Sequence, residues 1–548
     1  QNMIGCYNNT QSFHNEEKNN WEYDEACNTA FGRYPETITY TLGKMTAENN
    51  SNMPENDTYE NNAYTRYLKN KLNIQNHNVF EDNDSNYDNM INMAISEDNI
   101  PDVMVVNDYS YLKLLVENDM IEDLSSVYEK CASDRIKDIY KSYGSEILDN
   151  VTFDGKLMAL PETNIENGPN MLWLRKDWMD KLSLEAPKNL TDAENIIKEF
   201  IEKDPGNNGD GNTIGLACSP ELTSERGYSY TGQADILFAA FNSFPKQWIK
   251  NSDGEIVYGS IQKESKSALV YLNKLYKSGI LDKQFLLRNQ NNIEDIIKNG
   301  QCGAFFGLWW SPNNPLMDCL KYDKDAVWQP YMIPTNADGS TSFCSQNPSN
   351  KFVVVRKGYE HPEIVMKECS VLFDYFNNSN KEAYEIKQYY VDNVDPTARP
   401  FSINIDYKDA LVDCYRNITS VLDNEKDVDC LQLIEYSYYE QCKRYLEDPD
   451  NASVEDWAAY ASRISASSLL VNSKMKKIDT YFFNKETETM SKVWWKLKNL
   501  EKQAYLKIIT GEETIDYFDK FADDWYKQGG NIVTKEVQEE VNSRDRKD

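Results

Sequence analysis

The stretch LTDAENIIKEFIEKD, residues 190–204, carries the strongest local signal for secondary structure in the chain. Four apolar residues recur in it at helical spacing: Ile196, Ile197, Phe200 and Ile201. Thr191 and Glu194 form the pattern of a capping box, which predicts where the helix begins. Asp204 precedes a proline, and a residue in that position disfavours helical backbone. The stretch is therefore predicted to be an amphipathic helix that ends before Asp204.

Short apolar runs on both sides of this helix predict strands. They are TITYTL (37–42), IPDVMVVND (100–108), DGKLMALPET (154–163) and FVVV (352–355). A second amphipathic helix is predicted over 267–280 with Gly279 as its C-cap, and from about 404 onward the pattern is nearly all helix. Interleaved strands and helices are typical of α/β domains. Short crossings near 161 and at 346–350 fit two α/β lobes that exchange chain, an arrangement that periodicity alone does not establish.

The charge balance restricts the classes of partner. The 548 residues include 58 basic and 89 acidic side chains, which gives a net charge of −31. This charge argues against a nucleic acid or an anionic membrane surface as partner. Only three histidines occur, His14, His77 and His361, and none lies near another in the sequence. This argues against His-based metal sites and Ser-His-Asp triads. Aromatic residues make up 12% of the chain, which suits a core and also a sugar-binding surface.

The eleven cysteines contain no C-x-x-C pair, which argues against zinc ribbons and thioredoxin-type redox sites. Their odd number fits a reducing compartment or the surface of an anaerobe better than a disulfide framework. Cys6 follows Met3-Ile4-Gly5 and is similar to a lipid-attachment cysteine. The sequence starts at Gln1 and not at a methionine, so it leaves open whether an export signal preceded it.

The loop DPGNNGDGNT, residues 204–213, is close to the calcium-loop pattern D-x-[DN]-x-[DN]-G. Four oxygen-bearing side chains are candidate ligands: Asp204, Asn208, Asp210 and Asn212. Gly209 occupies the sixth position, but Gly206 replaces the ligand at the third and Gly215 stands where the twelfth-position glutamate belongs. The loop is therefore interpreted either as one structural Ca²⁺ site or as a Gly/Asn/Asp turn that leaves the helix.

Four stretches resemble the extracellular solute-binding proteins that serve carbohydrate ABC transporters of Gram-positive bacteria, larger relatives of maltose-binding protein. They are NMLWLRKDWMDKLSLEAPKNLTDAENIIKEFIEKDP (170–205), GAFFGLWWSPNNPL (303–316), FVVVRKGYEHPE (352–363) and LEKQAYLKIITGEETIDYFDKFADDWYKQGGNIVTKEVQEEVN (500–542). The second is the most specific, because paired tryptophans followed by proline are uncommon at this place elsewhere. The resemblance runs from about residue 36 to the end.

The resemblance implies an α/β, two-lobed, periplasmic-binding-protein-like (venus-flytrap) fold with a helix-rich C-terminal part. We expect a polar tether over 1–34, lobe one over 35–162 and 346–450, and lobe two over 163–345 and 451–548. It also implies a monomeric lipoprotein on the outer face of the cell membrane that passes an oligosaccharide to a permease. Members often carry a calcium loop after the helix at 190–203, which strengthens the calcium interpretation. No organic cofactor is expected.

The ligand is expected in the cleft between the lobes. Trp309 and Trp310 could give a sugar its apolar platform, although adjacent residues of a strand point to opposite faces and one of them could be core. The hydroxyl groups need paired hydrogen-bonding partners. The candidates lie beside the two crossings or in the segment DPTARPF: Glu162, Asn164, Glu166, Asn347 and Arg399. Each has an alternative role, as a solvated loop residue or, for Arg399, as the partner of Asp395.

Two other functions are compatible with the sequence. Glu162 and Glu166 could serve as the carboxylate pair of a glycoside hydrolase, but a chain with 89 acidic residues offers many such pairs. The long polar amino terminus would also suit a cell-surface scaffold that transports nothing. The favoured prediction is a binding protein that is not an enzyme. The identity, length and linkage of the glycan do not follow from the sequence.

Overall fold

A computed structural model describes residues 20–50 and 52–546. Cys6 and the first half of the predicted tether lie outside these residues. Contacts divide the chain into two compact units: unit 1 comprises residues up to Ile165, Pro348–Ala410 and Asn424–Ser437, and unit 2 comprises Glu166–Asn347, Leu411–Asp423 and the residues from Tyr438 onward.

The strands of the described residues, in chain order, are β1 Ile38–Met45, β2 Ile74–Asp82, β3 Val103–Val106, β4 Thr152–Phe153, β5 Lys156–Leu157, β6 Leu160–Pro161, β7 Met171–Arg175, β8 Ile214–Leu216, β9 Trp248–Lys250, β10 Ile256–Tyr258, β11 Cys302–Gly307, β12 Trp328–Tyr331, β13 Thr341–Cys344, β14 Phe352–Val355 and β15 Met475–Ile478. The runs predicted near 37, 100, 154 and 352 correspond to β1, β3, β6 and β14.

Unit 1 is built on a five-stranded sheet in the order β2-β1-β3-β14-β6. β1 pairs with β2 and β3 in parallel, whereas β14 lies antiparallel between β3 and β6. β3 and β14 are buried on both faces, which explains their continuous apolar sequences. The main helices of this unit are Ala63–Leu72, Asp84–Ser96, Tyr109–Glu117, Ser125–Cys131, Asp134–Lys141, Ile364–Leu372 and Tyr384–Val391.

Residues 20–34 differ from the predicted polar tether. Residues 20–28 are helical, and Tyr34 is fully buried in the core of unit 1. Tyr34 donates a hydrogen bond of 2.5 Å to Glu363, and the ammonium of Lys367 donates to the carbonyls of Thr29 and Gly32. These partners lie more than 300 positions away, so the local composition could not reveal them.

Unit 2 is built on a four-stranded sheet in the order β12-β7-β11-β8. β7 is antiparallel to β11 and β12, and β8 is parallel to β11. Two small pairs, β9 with β10 and β13 with β15, complete its strands. Its main helices are Lys176–Lys181, Leu190–Lys203, Asp235–Ala239, Lys263–Ser278, Gln290–Lys298, Met317–Tyr322, Val454–Tyr460, Ser467–Asn472, Met490–Thr510, Tyr517–Trp525 and Asn531–Asp545.

The helix at 190–203 buries the apolar face that its sequence predicts, and it ends at Asp204 in the left-handed region. Its N-cap, however, is Asn189 and not Thr191, because the Asn189 side chain accepts from the amide of Asp192. The second predicted helix spans Lys263–Ser278, and Gly279 is its C-cap. Trp173, which follows the first crossing, is fully buried in unit 2.

The unit boundaries lie at Ile165/Glu166 and Asn347/Pro348, three and two residues beyond the predicted ends of lobe one at 162 and lobe two at 345. Lobe one was expected to hold all of 346–450, but 411–423 and 438–450 pack into unit 2. These residues belong to the helices Ala410–Leu422 and Leu433–Glu447. Helical periodicity shows that a face is apolar and does not show which core that face meets.

The cysteines of the described residues are all free thiols. Within the same part of the chain, every helix is too short or too polar to cross a lipid bilayer.

Candidate functional site

The carboxyl ends of four strands of unit 1 lie at one edge of its sheet. Because β14 is antiparallel to both β3 and β6, strand β6 runs in the same direction as β1, β2 and β3. Ligands of open α/β sheets bind outside the carboxyl ends of such strands. The four carboxyl ends at this edge are Met45, Asp82, Val106 and Pro161. Glu162 therefore lies at the edge where this rule expects a ligand.

Glu162 and Asn164 are partly exposed at this edge of unit 1. The amide of Glu162 donates to the carbonyl of Lys351 at 2.9 Å, and its carboxylate accepts from the amide of Asn404 at 3.3 Å. The amide of Asn164 donates to the carbonyl of Pro348 at 2.9 Å. The backbone of this segment is thus fixed to the start of β14, while both side chains keep some contact with solvent.

Arg399, unlike Glu162 and Asn164, is buried. It is 6% exposed, and its guanidinium lies 5.0 Å from the ring centroid of Phe373 and 5.6 Å from that of Tyr64. It donates to the carbonyl of Ile403 and not to Asp395. The structure therefore places Arg399 in the interior of unit 1, where it serves packing.

Lys44, which the sequence analysis did not select, is a buried cation near the carboxyl end of β1. Its ammonium donates to the carbonyl of Arg399 at 2.8 Å and to the hydroxyl of Ser402 at 2.6 Å. Burial lowers the pKa of Lys44 to about 7. A fully buried lysine at the next-to-last position of β1 has no local sequence signal, since the alternation of β1 predicts only that the position faces inward.

The edge of unit 2 is defined by the pairing of Gly307 in β11 with Met171 in β7. β11 ends there and β7 begins there, because the two strands are antiparallel. Trp309 and Trp310 follow β11, and Asn167 precedes β7. The structure thus brings the tryptophan pair and the first crossing to one edge of this unit.

The two tryptophans have different environments. Trp309 is 6% exposed, and its indole nitrogen donates to the side-chain oxygen of Asn167 at 3.0 Å. The guanidinium of Arg463 lies 4.6 Å from the centroid of the Trp309 ring. Trp310 is partly exposed. Of the pair, Trp310 is therefore the indole that retains surface for a ligand, whereas Trp309 is held in the interior by Asn167 and Arg463.

A hydrogen-bonded segment lies beside Trp309. The side-chain oxygen of Gln346 accepts from the backbone amide of Asn167 at 3.0 Å. Asn347 is 6% exposed, and its side chain exchanges two amide hydrogen bonds, of 2.8 and 2.7 Å, with Asn484. Its backbone amide donates to the carbonyl of Arg226 at 2.7 Å. Asn347 therefore holds the segment in place and has little surface for a ligand.

Glu166 forms an ion pair of 2.5 Å with Lys477 within unit 2. Its charge is thus neutralised locally. The residues that the sequence analysis missed here are Asn167, Gln346, Arg226 and Arg463. The first two flank the predicted crossings, so their positions gave a signal, whereas Arg463 lies in a helical stretch without any motif.

The loop 204–213 is closed by its own hydrogen bonds. Both oxygens of Asp204 accept backbone amides, from Asn208 and from Gly209 at 2.9 Å each, and one also accepts the hydroxyl of Thr213 at 2.8 Å. These bonds hold the pKa of Asp204 below its ordinary value. Asn208 directs its amide nitrogen to the carbonyl of Gly300 at 3.0 Å.

Calcium prefers six to eight oxygen ligands that converge on one point. In this loop the carboxylate of Asp204 is occupied by three donors, Asp210 is exposed, and Asn212 donates its amide nitrogen to the carbonyl of Asn208. Gly206 supplies no side chain at all. This donor set does not fit a calcium cage.

A second group of potential metal ligands lies in unit 1. One ligand atom from each of Cys27, His361 and Glu363 lies within 4.8 Å of the others. Glu363 already accepts from Tyr34, and it lies 2.9 Å from the Nδ1 atom of His361. The hydrogen bond to Glu363 raises the pKa of His361. The group serves as a hydrogen-bond network that fixes residues 20–34 to the helix Ile364–Leu372.

Comparison with known proteins agrees with this architecture. No family model matches the chain. A curated relative, the polygalacturonan/rhamnogalacturonan-binding protein YtcQ of Bacillus subtilis, is 23% identical over 466 residues, which cover 82% of each chain. The fructooligosaccharide ABC transporter substrate-binding protein FusA of Streptococcus pneumoniae is 25% identical over 182 residues, 31% of this chain.

Solved structures show the same fold. FusA in complex with kestose matches with a TM-score of 0.63 and 14% identity, covering 93% of this chain and all of that one. A solute-binding protein from Bifidobacterium longum infantis, associated with an ABC transporter that binds HMO, matches with a TM-score of 0.59 and 15% identity over 92% and 99% of the two chains. The chain thus shares the fold of FusA and of the Bifidobacterium protein, and its sequence is similar to that of YtcQ over most of its length.

Proposed function

We propose that the chain binds an oligosaccharide against the Trp310 edge of unit 2 and delivers it to the permease of an ABC transporter. The observation that carries the proposal is the partly exposed indole of Trp310, which follows the buried Trp309 at the edge where β11 ends. The relatives YtcQ and FusA are named as binders of polygalacturonan, rhamnogalacturonan and fructooligosaccharide, which supports a carbohydrate ligand. We further propose that the protein acts on the outer face of the cell, since another relative, the lipoprotein LipO of Bacillus subtilis, is 25% identical over 226 residues, 40% of this chain.

The proposed binding mode uses the two faces of a sugar separately. The C–H face of a ring packs on the indole, and the hydroxyls bond to polar groups of the edge, as Asn167 and Glu166 offer in unit 2. A role of Glu162 and Asn164 of unit 1 in ligand binding stays a prediction. The chain then acts by binding alone, and no bond of the ligand is made or broken.

Replacing Trp310 with alanine is expected to weaken oligosaccharide binding at least tenfold. Stacking that removes roughly 100 Å² of apolar surface from water contributes about 2.5 kcal/mol. The Tm of the sugar-free protein should change by no more than a few degrees, because the indole is partly exposed. Isothermal titration calorimetry with a panel of soluble oligosaccharides identifies a ligand and then compares the two proteins.

Trp495→Ala is the matched control, because Trp495 is an exposed indole of the same unit. It should leave the affinity unchanged. A collapse of stability in Trp310→Ala would show that the residue belongs to the core and would remove the proposed platform. Release of reducing ends from the panel would replace the binding-only proposal with a glycoside hydrolase.

For the loop 204–213 we infer that internal hydrogen bonds stabilise the loop conformation, as a bound calcium ion does in a calcium loop. A structural neighbour is described as an EF-hand mutant of FusA, so the comparison of loops is meaningful. Chelation by EDTA should leave the Tm of this chain unchanged. Asp204→Ala should lower it by several degrees, whereas Asp210→Ala, which changes an exposed carboxylate of the same loop, should not. A fall in Tm on chelation that added Ca²⁺ reverses would restore the calcium interpretation.

A further inference from the structure

Arg463 occupies an unusual position at the Trp310 edge. It lies in the π-helical segment Ala461–Ala466 and is partly exposed. Its guanidinium lies between two aromatic rings, 4.6 Å from the centroid of Trp309 and 4.0 Å from that of Tyr438. π-Helical segments occur often at functional sites, because the irregular turn redirects a side chain. The geometry fixes the plane of this guanidinium.

Across residues 20–50 and 52–546, no carboxylate forms an ion pair with Arg463. Three other arginines of unit 2 do have such partners: Arg175 pairs with Asp177 at 2.7 Å, Arg288 with Asp282 at 2.7 Å and Arg444 with Asp456 at 2.9 Å. A guanidinium remains charged at any pH that the protein meets, and it carries five N–H donors, of which the hydrogen bond to Tyr438 uses only a part. Arg463 therefore retains donors for an anion.

Arg463 is linked to the proposed sugar platform through Trp309. Trp309 connects Arg463 to Trp310, the residue that follows it, and to Asn167 through the indole nitrogen. The nearby carboxylate of Glu166 is neutralised by Lys477. The net charge of −31 opposes an anion at long range, but salt at physiological concentration screens that field beyond about 8 Å. Contacts within a few ångströms therefore decide the preference.

We propose that Arg463 binds a carboxylate of the ligand, so that the preferred ligand is an acidic oligosaccharide carrying uronate units. This inference rests on the proposed function, in which the sugar lies against Trp310. A planar guanidinium matches a carboxylate with two parallel N–H···O bonds, and such charge-assisted pairs are stronger and more directional than bonds to hydroxyls. The stacked rings hold the donor plane before the ligand arrives, which reduces the entropy lost on binding.

The test compares each acidic oligosaccharide with its own methyl ester, which keeps the size and the hydroxyls and removes the charge. Calorimetry is performed with oligogalacturonates, uronate-bearing xylan fragments and alginate oligomers, and with uncharged oligosaccharides of the same length. The acid that binds most tightly should bind at least tenfold more tightly than its ester. Arg463→Gln should remove this difference by weakening the acid alone, and Arg463→Lys should retain part of it.

Two variants separate this inference from the proposed function. Trp310→Ala should weaken acid and ester alike, and Arg416→Gln, which changes an exposed arginine of the same unit, should weaken neither. If acid and ester bind equally to the unmodified protein, the assignment of Arg463 is wrong and the oligosaccharide function stands. If no oligosaccharide of either kind binds, both proposals fail. The ester comparison uses the unmodified chain, so a variant that does not fold leaves the test intact.

Discussion

Glu368→Gln is expected to make unit 1 more stable by about 3 kcal/mol at pH 7. Glu368 is 1% exposed in the helix Ile364–Leu372, where Tyr40 donates to its carboxyl group at 3.0 Å. Burial raises the pKa of this carboxyl from 4.5 to about 8, so the folded protein holds a proton that the unfolded chain has released at neutral pH. Taking up that proton costs free energy, and glutamine avoids the cost while it can still accept from Tyr40.

The sign of the pH dependence follows from proton counts. Between about pH 4.5 and 8 the folded state binds one proton more than the unfolded state, so stability falls as the pH rises. The gain from Glu368→Gln should therefore be absent at pH 4, grow through neutral pH and become constant above pH 8. Differential scanning calorimetry at a series of pH values measures it. Glu360→Gln, which changes an exposed carboxylate, is the control. A gain that does not vary with pH would contradict a neutral Glu368.

Gly227→Ala is expected to destabilise unit 2 by about 3 kcal/mol and to weaken sugar binding at least tenfold. Gly227 has φ of +80°, which strains an L-residue, and a Cβ there would lie 2.1 Å from the carbonyl oxygen of Ser345. The same carbonyl precedes Gln346 and Asn347, which fix Asn167 and Arg226. Making room for the methyl group moves this segment and with it the support of Trp309.

Gly254→Ala separates the two causes. Gly254 has φ of +77°, but a Cβ there would meet nothing within 4 Å. It should show the backbone strain alone, about 1 kcal/mol, and no loss of affinity. Urea unfolding followed by tryptophan fluorescence, together with calorimetry of sugar binding, compares the two variants. Equal effects of the two substitutions would show that the contact with Ser345 does not constrain the site.

The sequence predicts the elements of this fold well where the signal is local. The apolar runs of β3 and β14 and the amphipathic helix at 190–203 all form, because continuous burial and helical periodicity are properties of a few neighbouring residues. The neighbouring sequence does not determine the N-cap of this helix, since Asn189 and Thr191 are both able to cap. Only the backbone geometry selects Asn189. The same limit explains why 411–423 and 438–450 were expected in the other lobe.

The candidate site is less accessible to sequence reasoning. A polar residue beside a crossing can face solvent or be paired inside, and only its distant partner decides which. The side chain of Asn347 is paired with that of Asn484, and Arg399 packs on Phe373 and Tyr64. Asn484 and Tyr64 lie more than a hundred positions from the residues whose roles they determine. Trp310 was predicted from a motif. Arg463 was not, because its significance comes from the rings around it.

The position of β14 has a consequence for folding during synthesis on the ribosome. β14 fills the gap between β3 and β6, yet Phe352 is synthesised 191 positions after Pro161. A ribosome that adds about 5–20 residues per second needs about 10–40 s to cover that distance. Throughout this interval the nascent chain carries two unpaired apolar strand edges, which are the surfaces that holdase chaperones bind. The first half of the protein must wait for a strand encoded far downstream before its sheet can close.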